Sequence, residues 1–313
     1  MATERARPRR ILVTGAAGFV GGALLDALAE QTAGTEIVAL DLAAGPKQAL
    51  SGDVRWIVGR LDEAAVLSEA LRARFDVVFH LASVPGALAE RDPALSRRVN
   101  LDASLDLLDR IATSGARPRF VYASSVAVYG EMTGEAISAE SPAQPSMTYG
   151  AHKRMVEIAL DDFSRRGDVS GVAIRLPGVI ARPGRASGFG SAFMSELPRA
   201  LAAGEPYLCP ISPNATAWWM SVRRAAQNLI HAAMIDYCGV ALLPSLRLSI
   251  GEIVGALCEL YGEDRRELVS FEPDPRIEAV FGRYPELSTA REEQLGFAHD
   301  GSAMELMKEA LRP

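Results

Sequence analysis

The chain has 313 residues, of which 49% are hydrophobic and 23% are charged, and its formal net charge is −6 at pH 7. This composition is that of a globular protein with a sizeable core, and the length suits one large α/β domain or two modest ones. The acidic balance excludes the basic footprint of a nucleic-acid-binding protein, and no apolar run approaches the roughly 20 residues of a membrane span.

The N-terminus and the cysteines favour a cytoplasmic protein. The opening sequence MATERARPRR is basic but lacks the apolar segment of a secretory signal. Cys209, Cys238 and Cys258 are scattered, which fits a reducing compartment. The four histidines have no metal-ligand spacing, so we expect no metal site.

A glycine-rich turn lies near the N-terminus. Residues 11–22 read ILVTGAAGFVGG, in which an apolar run precedes glycines at 15, 18 and 21 and an amphipathic run follows. Strand, glycine turn and helix in this order bind a dinucleotide, because the glycines allow a tight turn and a close approach to the pyrophosphate. The helix N-terminus then offers free N–H groups to the phosphates. The alternative is a small-residue turn without a ligand.

Apolar runs alternate with helical patterns through the first half of the chain. Strands are predicted at 37–40, 54–58, 75–80 and 119–123. Helices are predicted at 23–30, from after residue 62 to about residue 74, and at 95–114. Such alternation indicates a parallel sheet with right-handed crossovers. We therefore predict an α/β fold with a Rossmann-type doubly wound parallel sheet, in which cofactor contacts gather at the strand C-termini.

The second strand ends on Asp41, where an acidic residue hydrogen-bonds the adenosine ribose hydroxyls. A carboxylate repels a 2′-phosphate, and no arginine immediately follows it, so NAD is favoured over NADP. The alternative is an acid that merely starts a loop.

The fourth strand leads into His80, Leu81, Ala82 and Ser83. We expect His80 to be packed or hydrogen-bonded at the strand end, and small Ala82 to contact a passing dinucleotide through its backbone. Asn100, inside the helix predicted at 95–114, is either solvated or faces the cofactor cleft.

The fifth strand ends on two hydroxyls, Ser124 and Ser125, and a loop then leads to a helix predicted at 149–166. Tyr149 and Lys153 are four residues apart and therefore share one helix face. A tyrosine with a pKa of about 10 is a poor base at neutral pH, and a nearby lysine cation stabilises its phenolate. Chance is the alternative for such a pair in isolation, but the glycine turn and the upstream serines make it improbable.

These features together resemble the extended short-chain dehydrogenase/reductase family over nearly the whole chain. The resemblance rests on the glycine turn, His80-Leu81-Ala82, Ser124-Ser125, Tyr149-x-x-x-Lys153 and Arg175-x-x-x-Val179. It implies that Ser125 orients the substrate hydroxyl, that Tyr149 is the general acid/base, and that Lys153 binds the nicotinamide ribose and tunes Tyr149. Asn100 matches the family's asparagine in the helix after the fourth strand.

The resemblance also implies the residues that line the site. The catalytic residues are Ser125, Tyr149, Lys153 and Asn100. The NAD contacts are Gly15, Ala17, Gly18, Phe19, Val20, Gly21, Asp41, Leu61, Leu81, Ala82, Ser83, Asn100, Tyr149, Lys153, Pro177 and Val179. The substrate contacts are Ser83, Ser125, Val126, Tyr149, Arg182 and Trp218.

The sequence departs from the family pattern at two positions, one near the adenine and one near the substrate. Arg60 replaces an acid near the adenine, which shifts that contact to the Leu61 backbone. The arginine with which sugar-nucleotide epimerases grip a diphosphate is missing near Trp218, where two tryptophans follow each other. We expect the pair to narrow the pocket and to favour a small substrate.

Within the family, the chain is most similar to a subgroup of D-erythronate dehydrogenases. The shared stretches include 164–167, 175–177, 221–231 and 271–275. The resemblance implies NAD-dependent oxidation of a four-carbon sugar acid at its carbon-2 hydroxyl. A sugar-nucleotide 4-epimerase or dehydratase with tightly held NAD is the alternative. A catalytically silent NAD-sensing protein is a third, although such proteins usually lose the tyrosine or lysine.

The later part of the chain is expected to form a small substrate-binding subdomain. We divide the chain into residues 1–180, mainly the NAD-binding domain, and 181–313, mainly the subdomain, interleaved with late strands of the sheet. Candidate partners for a substrate carboxylate are Arg182, Arg185, Arg223 and Arg224, with Arg182 preferred because it follows a strand end. Helices are expected at 191–203, 221–235 and 250–260, the last capped by Ser249.

The family also implies a homodimer, in which the helices at 95–114 and 149–166 pair with their copies as a four-helix bundle. Leu105, Leu108, Ile111, Met155 and Leu160 offer apolar side chains for it, but they could equally face the sheet.

Overall fold

The computed structural model describes residues 7–31, 34–45, 54–132, 134–182 and 191–312. Its strands are β1 (Arg10–Thr14), β2 (Glu36–Asp41), β3 (Val54–Val58), β4 (Val77–His80), β5 (Arg119–Ser125), β6 (Ala136–Ile137), β7 (Ser170–Leu176), β8 (Gly178–Val179), β9 (Tyr207–Cys209), β10 (Thr216–Met220), β11 (Gly239–Leu242), β12 (Leu246–Ser249), β13 (Val269–Phe271) and β14 (Glu286–Leu287).

The α-helices are α1 (Phe19–Gln31), α2 (Ala64–Ala70), α3 (Gly86–Arg91), α4 (Pro93–Ser96), α5 (Ala103–Ser114), α6 (Thr148–Arg165), α7 (Phe193–Ala203), α8 (Val222–Met234), α9 (Ile250–Tyr261), α10 (Pro275–Phe281), α11 (Ala290–Gln294) and α12 (Ala303–Ala310). A π-helical segment (Arg97–Asp102) joins α4 to α5, and 3₁₀ turns span Val126–Tyr129 and Glu263–Leu268.

The main sheet has the order β11-β7-β5-β4-β1-β2-β3 within the described part of the chain. Each neighbouring pair is parallel. The order reverses direction at β1, next to β4, so the loops after these two strands open a crevice at the C-terminal edge. The prediction of a Rossmann-type doubly wound sheet is confirmed.

Side chains of the main sheet alternate between two apolar layers. Ile11 and Val13 of β1 pack with α1 and α8 on one face, whereas Leu12 packs with α2, α5 and α6 on the other. Both faces are buried, which is why the strands read as continuous apolar runs rather than as alternating ones.

The later part of the chain builds a separate apolar core beside this sheet. Helices α7, α9 and α12 pack there around Trp219 and Ile253. The small sheet β12-β10-β8 runs through this region. Two later elements return to the main sheet: α8 packs against α1, and β11 pairs with β7. Ser249 caps α9, as predicted, and it also forms a capping box with Glu252.

The helix predicted at 95–114 is interrupted. The π-helical segment is closed by i→i+5 hydrogen bonds, so its turn is wider than that of an α-helix, and it contains Asn100. The helical path then continues through α5 and ends at Gly115, whose φ is 64°. A sequence pattern with a 3.6-residue period does not reveal such a wider turn, because the apolar side chains on both sides still face the sheet.

Candidate active site

The glycine turn after β1 has the geometry of a phosphate cradle. Gly15 has a φ of 73°, and a Cβ placed on it would lie 2.5 Å from the Ala82 nitrogen. A Cβ on Gly21 would lie 2.1 Å from the Gly15 carbonyl oxygen. Side chains at either position would push α1 away from β1 and β4, whereas Ala17 and Gly18 are exposed at the mouth of the turn. These residues therefore fit a pyrophosphate at the N-terminus of α1.

Asp41 ends β2 beside this turn. Its carboxylate accepts hydrogen bonds from the Ala17 N–H at 2.9 Å and from the Leu42 N–H at 2.6 Å. The acid is thus held at the turn rather than directed into solvent. Arg60 replaces the acid that many family members have at this position, and its guanidinium pairs with Asp62. The side chain of the neighbouring Leu61 is buried.

The loop after β4 closes the other side of the crevice. Leu81 donates its N–H to the Thr14 carbonyl, and the Ala82 N–H points to Thr14 Oγ1 at 3.4 Å. Leu81, Ala82 and Ser83 are each partly accessible. His80 is fully buried and hydrogen-bonded to Thr14 and Ser104, as predicted.

Tyr149, at the N-terminus of α6, meets Ser83 of the loop after β4 and Ser125 at the end of β5. Burial raises the pKa of Tyr149, and the neighbouring Ser83 and Ser125 hydroxyls oppose this shift. Gly150 makes this approach possible, because a Cβ there would lie 2.2 Å from the Ala127 carbonyl oxygen, so α6 packs directly on the turn after Ser125. The structure thus brings together Ser83, Ser125 and Tyr149, which the sequence places 24 to 66 residues apart.

Lys153 lies one turn below Tyr149 and is buried. Its ammonium group donates to the Ala123 carbonyl oxygen at 2.7 Å and lies 5.5 Å from the centre of the Tyr149 ring. Burial lowers the pKa of Lys153 to about 7, and the Glu157 carboxylate opposes this shift. Burial likewise raises the pKa of Tyr149, against the Ser83 hydrogen bond, the charge of Arg182 and the Ser125 hydrogen bond. Both groups are therefore held closer to their neutral forms than in water.

A buried ion pair supports this arrangement from behind. Glu157 binds Arg175 of β7 at 2.8 Å and accepts from Ser124 at 2.6 Å. Burial alone would lower the pKa of Arg175, but its bonds and charge contacts with Glu157 raise it, so the guanidinium stays charged. Glu157 is not among the residues predicted from the sequence. Its spacing of four from Lys153 on a buried helix face is the signal that could have identified it.

Asn100 occupies the centre of the π-helical segment and is 2% exposed. Its Oδ1 accepts from the Val84 N–H at 2.6 Å, and its Nδ2 donates to the Val84 carbonyl oxygen at 3.0 Å. Ser83 donates to the same Oδ1 at 3.3 Å. The amide group therefore holds the loop that carries Ser83. Asn100 is linked to Tyr149 indirectly, through this loop.

Arg182 lies over the mouth of the site. Its guanidinium carbon is 5.8 Å from the centre of the Phe19 ring, and its charge acts on Tyr149. The preceding residue, Ala181, has a φ of 58°, a left-handed conformation that costs a non-glycine residue about 1 kcal/mol or more. Arg199 donates to the Ala181 carbonyl oxygen at 3.2 Å and so holds this turn.

The other arginines predicted as candidate partners for a substrate carboxylate are not placed at this site. Arg223 pairs with Glu309 at 3.2 Å. The charge of Arg224 acts on Asp300, beside the N-terminus of α8. Arg185 lies outside the described residues. Pro177, Val179 and Val126 follow the ends of β7 and β5, at the edge where the crevice opens.

The expectation that Trp218 and Trp219 narrow the pocket is wrong for their side chains. Both are 0% exposed. Trp218 donates its Nε1–H to the Pro285 carbonyl oxygen at 2.8 Å and packs edge-on against Tyr284, and Trp219 donates to the Leu248 carbonyl oxygen at 2.9 Å. Alternation along β10 sends the two indoles into different cores, and neither lines the open crevice.

The residues that the structure describes contain no group of three or more His, Cys, Asp or Glu side chains that could hold a metal ion. None of the helices described is both long enough and apolar enough to cross a membrane. The three cysteines carry free thiols.

Comparison with known proteins identifies relatives along the full length. The chain is 34% identical to the D-erythronate dehydrogenase of Cupriavidus necator, over 95% of this chain and 96% of that protein. It is 27% identical to the D-erythronate dehydrogenase of Haemophilus influenzae, over 96% and 98%. The crystal structure of the nucleoside-diphosphate-sugar epimerase from Agrobacterium tumefaciens superposes with a TM-score of 0.88 at 31% identity, covering 96% of this chain and 92% of that chain.

The family model for the NAD dependent epimerase/dehydratase family matches residues 11–233, which include the glycine turn, Asp41 and the Tyr149–Lys153 pair. Because the residues of the turn fit a pyrophosphate and the acid at β2 fits a free ribose, the structure agrees with NAD as the cofactor. The chain therefore belongs to the NAD dependent epimerase/dehydratase family and is an oxidoreductase that uses NAD.

Proposed function

We propose that this protein oxidises a small sugar acid with NAD, and that the acid is D-erythronate, converted to its 2-oxo product. The observation that carries the proposal is the position of Arg182, a cation that acts on Tyr149 from the mouth of the site. A guanidinium binds a carboxylate with two parallel hydrogen bonds, so it would orient the acid next to the general base. The two D-erythronate dehydrogenases that align over the full length support the same substrate class.

In this mechanism Tyr149, as its phenolate, takes the proton of the carbon-2 hydroxyl, while Ser125 holds the same oxygen by a hydrogen bond. The acceptor for the hydride of carbon 2 would be supplied by NAD held in the crevice. Lys153 would hold the nicotinamide ribose, and its ammonium form would favour the phenolate over the phenol. Proton and hydride leave the same alcohol, so its C–O bond becomes a carbonyl group.

We propose that the cofactor follows the crevice from the glycine turn to Lys153. Its contacts would be the residues of the turn, Asp41, the backbone of Leu61, the loop at 81–83, and Pro177 and Val179. The substrate would lie between Ser83, Ser125, Val126 and Arg182, covered by the part of the chain after residue 181. The fit of the glycines and the exposure of Ala17 and Gly18 at the turn support this path.

The test is an NADH-absorbance assay with four- to six-carbon sugar acids, run with NAD and NADP in parallel. We expect NADH to form with D-erythronate, and NADP to be the poorer cofactor because Asp41 repels its 2′-phosphate. Equal rates with both cofactors would refute the role of Asp41.

The second candidate is a sugar-nucleotide 4-epimerase or dehydratase with tightly held NAD. The superposition on a nucleoside-diphosphate-sugar epimerase favours it, and the same Ser, Tyr and Lys would serve its chemistry. A purified protein that releases no NADH with any sugar acid, yet interconverts UDP-sugars, would replace our first proposal by this one.

We also propose a homodimer through a four-helix bundle of α5, α6 and their copies. Met155 and Ile158 are 48% and 56% exposed on one face of α6. Leu108, Ile111 and Leu160 are buried against the sheet, so they are not available to a partner. Sedimentation of the wild type and of Ile158→Glu at several concentrations tests this, because a charge in the bundle should produce a monomer. A monomeric wild type would contradict the proposal.

A further inference from the structure

Asn100 is held on two sides by hydroxyl groups, and each hydroxyl is bonded to a buried histidine. Ser104 Oγ donates to the Asn100 carbonyl oxygen at 2.8 Å and bonds His80 Nε2 at 2.8 Å. Ser96 Oγ accepts from Asn100 Nδ2 at 3.1 Å and bonds His152 Nδ1 at 2.9 Å. The two histidines come from different elements, β4 and α6, and reach Asn100 through different atoms.

The bonds on the His80 side leave one arrangement of hydrogens. A serine hydroxyl has one hydrogen, and that of Ser104 goes to the Asn100 carbonyl oxygen, so Ser104 must accept from His80 Nε2–H. His80 Nδ1 is then bare and accepts the hydroxyl hydrogen of Thr14 at 2.7 Å. The chain of donors runs from β1, beside the glycine turn, to the backbone of Asn100.

On the His152 side, Ser96 Oγ receives a hydrogen from Asn100 Nδ2 and is bonded to His152 Nδ1. Among the described residues no other acceptor is bonded to Ser96 Oγ, so a buried Ser96 satisfies its own hydrogen by donating to His152 Nδ1, which places the imidazole hydrogen on Nε2. Ser96 is 0% exposed and His152 is 8% exposed, so water does not readily replace these bonds. His152 lies in the same helix turn as Tyr149 and Lys153.

Both imidazoles are kept in the neutral form that this arrangement requires. Burial lowers the pKa of His80 to about 3, and the charge of Lys153 acts in the same direction. Burial also lowers the pKa of His152, Arg97 adds to this, and Asp102 opposes it.

We propose that His80 and His152 are positioning residues for Tyr149. His80 fixes the backbone carbonyl of Asn100 and His152 fixes its side-chain amide, so that Asn100 holds Val84 and Ser83 against the Tyr149 hydroxyl. The inference rests on the proposed function, in which Tyr149 is the acid/base. It assigns to the two histidines no contact with substrate or cofactor. The proposed route from the histidines to Tyr149 runs through Asn100 and Ser83.

We call the pair of hydrogen bonds between the Asn100 side chain and the Val84 backbone the clamp. The first experiment measures the clamp without any substrate. Hydrogen exchange at the Val84 amide, whose N–H is bound by Asn100 Oδ1, is followed in the free protein. We expect Ser96→Ala and His152→Leu to speed exchange by about tenfold, as for the loss of one supporting hydrogen bond. His152→Asn should keep the slow exchange, because its side chain offers an acceptor near the position of Nδ1. Equal exchange in His152→Leu and the wild type would overturn the proposal.

The second experiment joins the clamp to catalysis. In the same variants we expect kcat with the sugar acid to fall by about tenfold while KM for NAD stays unchanged, and His152→Asn to restore kcat. A merely structural defect would alter KM for NAD as well and would not be rescued by asparagine. A change of exchange with no change of kcat would refute the link to Tyr149.

The controls separate this inference from the proposed function. Tyr149→Phe should abolish turnover and leave Val84 exchange slow. If no sugar acid is oxidised by the wild type, the exchange experiment still decides whether His152 supports the clamp. For His80, ¹⁵N NMR should find a protonated Nε2 and a bare Nδ1, and the opposite tautomer would overturn the donor chain.

Discussion

Two buried regions, one around Tyr149 and one around Trp218, differ in how their polar groups are satisfied. Around Tyr149, burial opposes the charged forms of both Tyr149 and Lys153, and within the described residues the buried Tyr122 hydroxyl lacks a hydrogen-bond partner. Around Trp218, both indole N–H groups are bonded to backbone carbonyls. Burial also raises the pKa of Tyr284 beside Trp218, but it has no charged partner there among the described residues, whereas Tyr149 and Lys153 lie next to the Ser83 and Ser125 hydroxyls and the charge of Arg182. The first region is therefore suited to chemistry and the second to stability.

This difference yields opposite expectations for substitutions in the two regions. Changes around Tyr149 should alter activity strongly and leave stability unchanged or increased, whereas changes around Trp218 should lower stability and spare activity. Four experiments test this contrast.

The largest effect is expected for Tyr149→Phe. Removing the hydroxyl deletes the group that takes the substrate proton, and loss of such a group lowers kcat by roughly 10²- to 10⁴-fold. The phenyl ring keeps the packing, so the urea midpoint of unfolding and the affinity for NAD should stay unchanged. Turnover that survives in this variant would show that another group is the acid/base.

The next effect concerns the stability cost of a buried lysine. Because the folded pKa of Lys153 is lowered to about 7 from 10.5, the unfolded chain binds more protons between these values. The free energy of unfolding of the wild type should therefore rise with pH, by up to about 1.4 kcal/mol per unit, between about pH 7 and pH 10.

Lys153→Met provides the comparison, since it cannot titrate at this position. The variant should be inactive and more stable than the wild type at pH 7, and its advantage should shrink as the pH rises. Urea unfolding of both proteins across this range measures the difference. A difference that does not depend on pH would mean that Lys153 keeps an ordinary pKa in the fold.

The residues of the first region can be chosen from the sequence because their signals are local. The glycine turn, the acid at the end of β2 and the spacing of Tyr149 and Lys153 are all visible in short stretches, and parallel strands bring their C-termini to one edge. The position of His152 next to Lys153 is equally visible, but its role is not. Its partner Ser96 lies 56 residues away, and the contact depends on how α4 packs on α6.

The second region could not be predicted in the same way. Trp218 bonds a carbonyl 67 residues further along the chain, and only packing determines whether an indole on β10 faces a core or a cleft. An alternating strand places neighbours on opposite faces, but the sequence does not say which face is covered. The same limit applies to Arg182, whose orientation depends on the left-handed turn at Ala181 and on Arg199.

Arg182→Ala should give the third effect, at the border of the two regions. Loss of a charge-assisted bond to the substrate carboxylate should lower kcat/KM for the sugar acid by roughly 10- to 100-fold, mainly through KM. Arg223→Ala is the matched control, because its guanidinium pairs with Glu309 at the surface and should have no kinetic effect. Equal kinetics in the two variants would place the carboxylate elsewhere.

The smallest effect on catalysis is expected for Trp218→Phe. The phenyl ring retains most of the apolar packing against Tyr284 but leaves the Pro285 carbonyl oxygen without its indole donor. We expect the free energy of unfolding to fall by about 1–3 kcal/mol, the usual effect of an unsatisfied buried acceptor. KM for the sugar acid should stay unchanged, because the indole is 0% exposed and does not reach the crevice. A raised KM without a loss of stability would instead assign Trp218 to the substrate pocket and remove the contrast between the two regions.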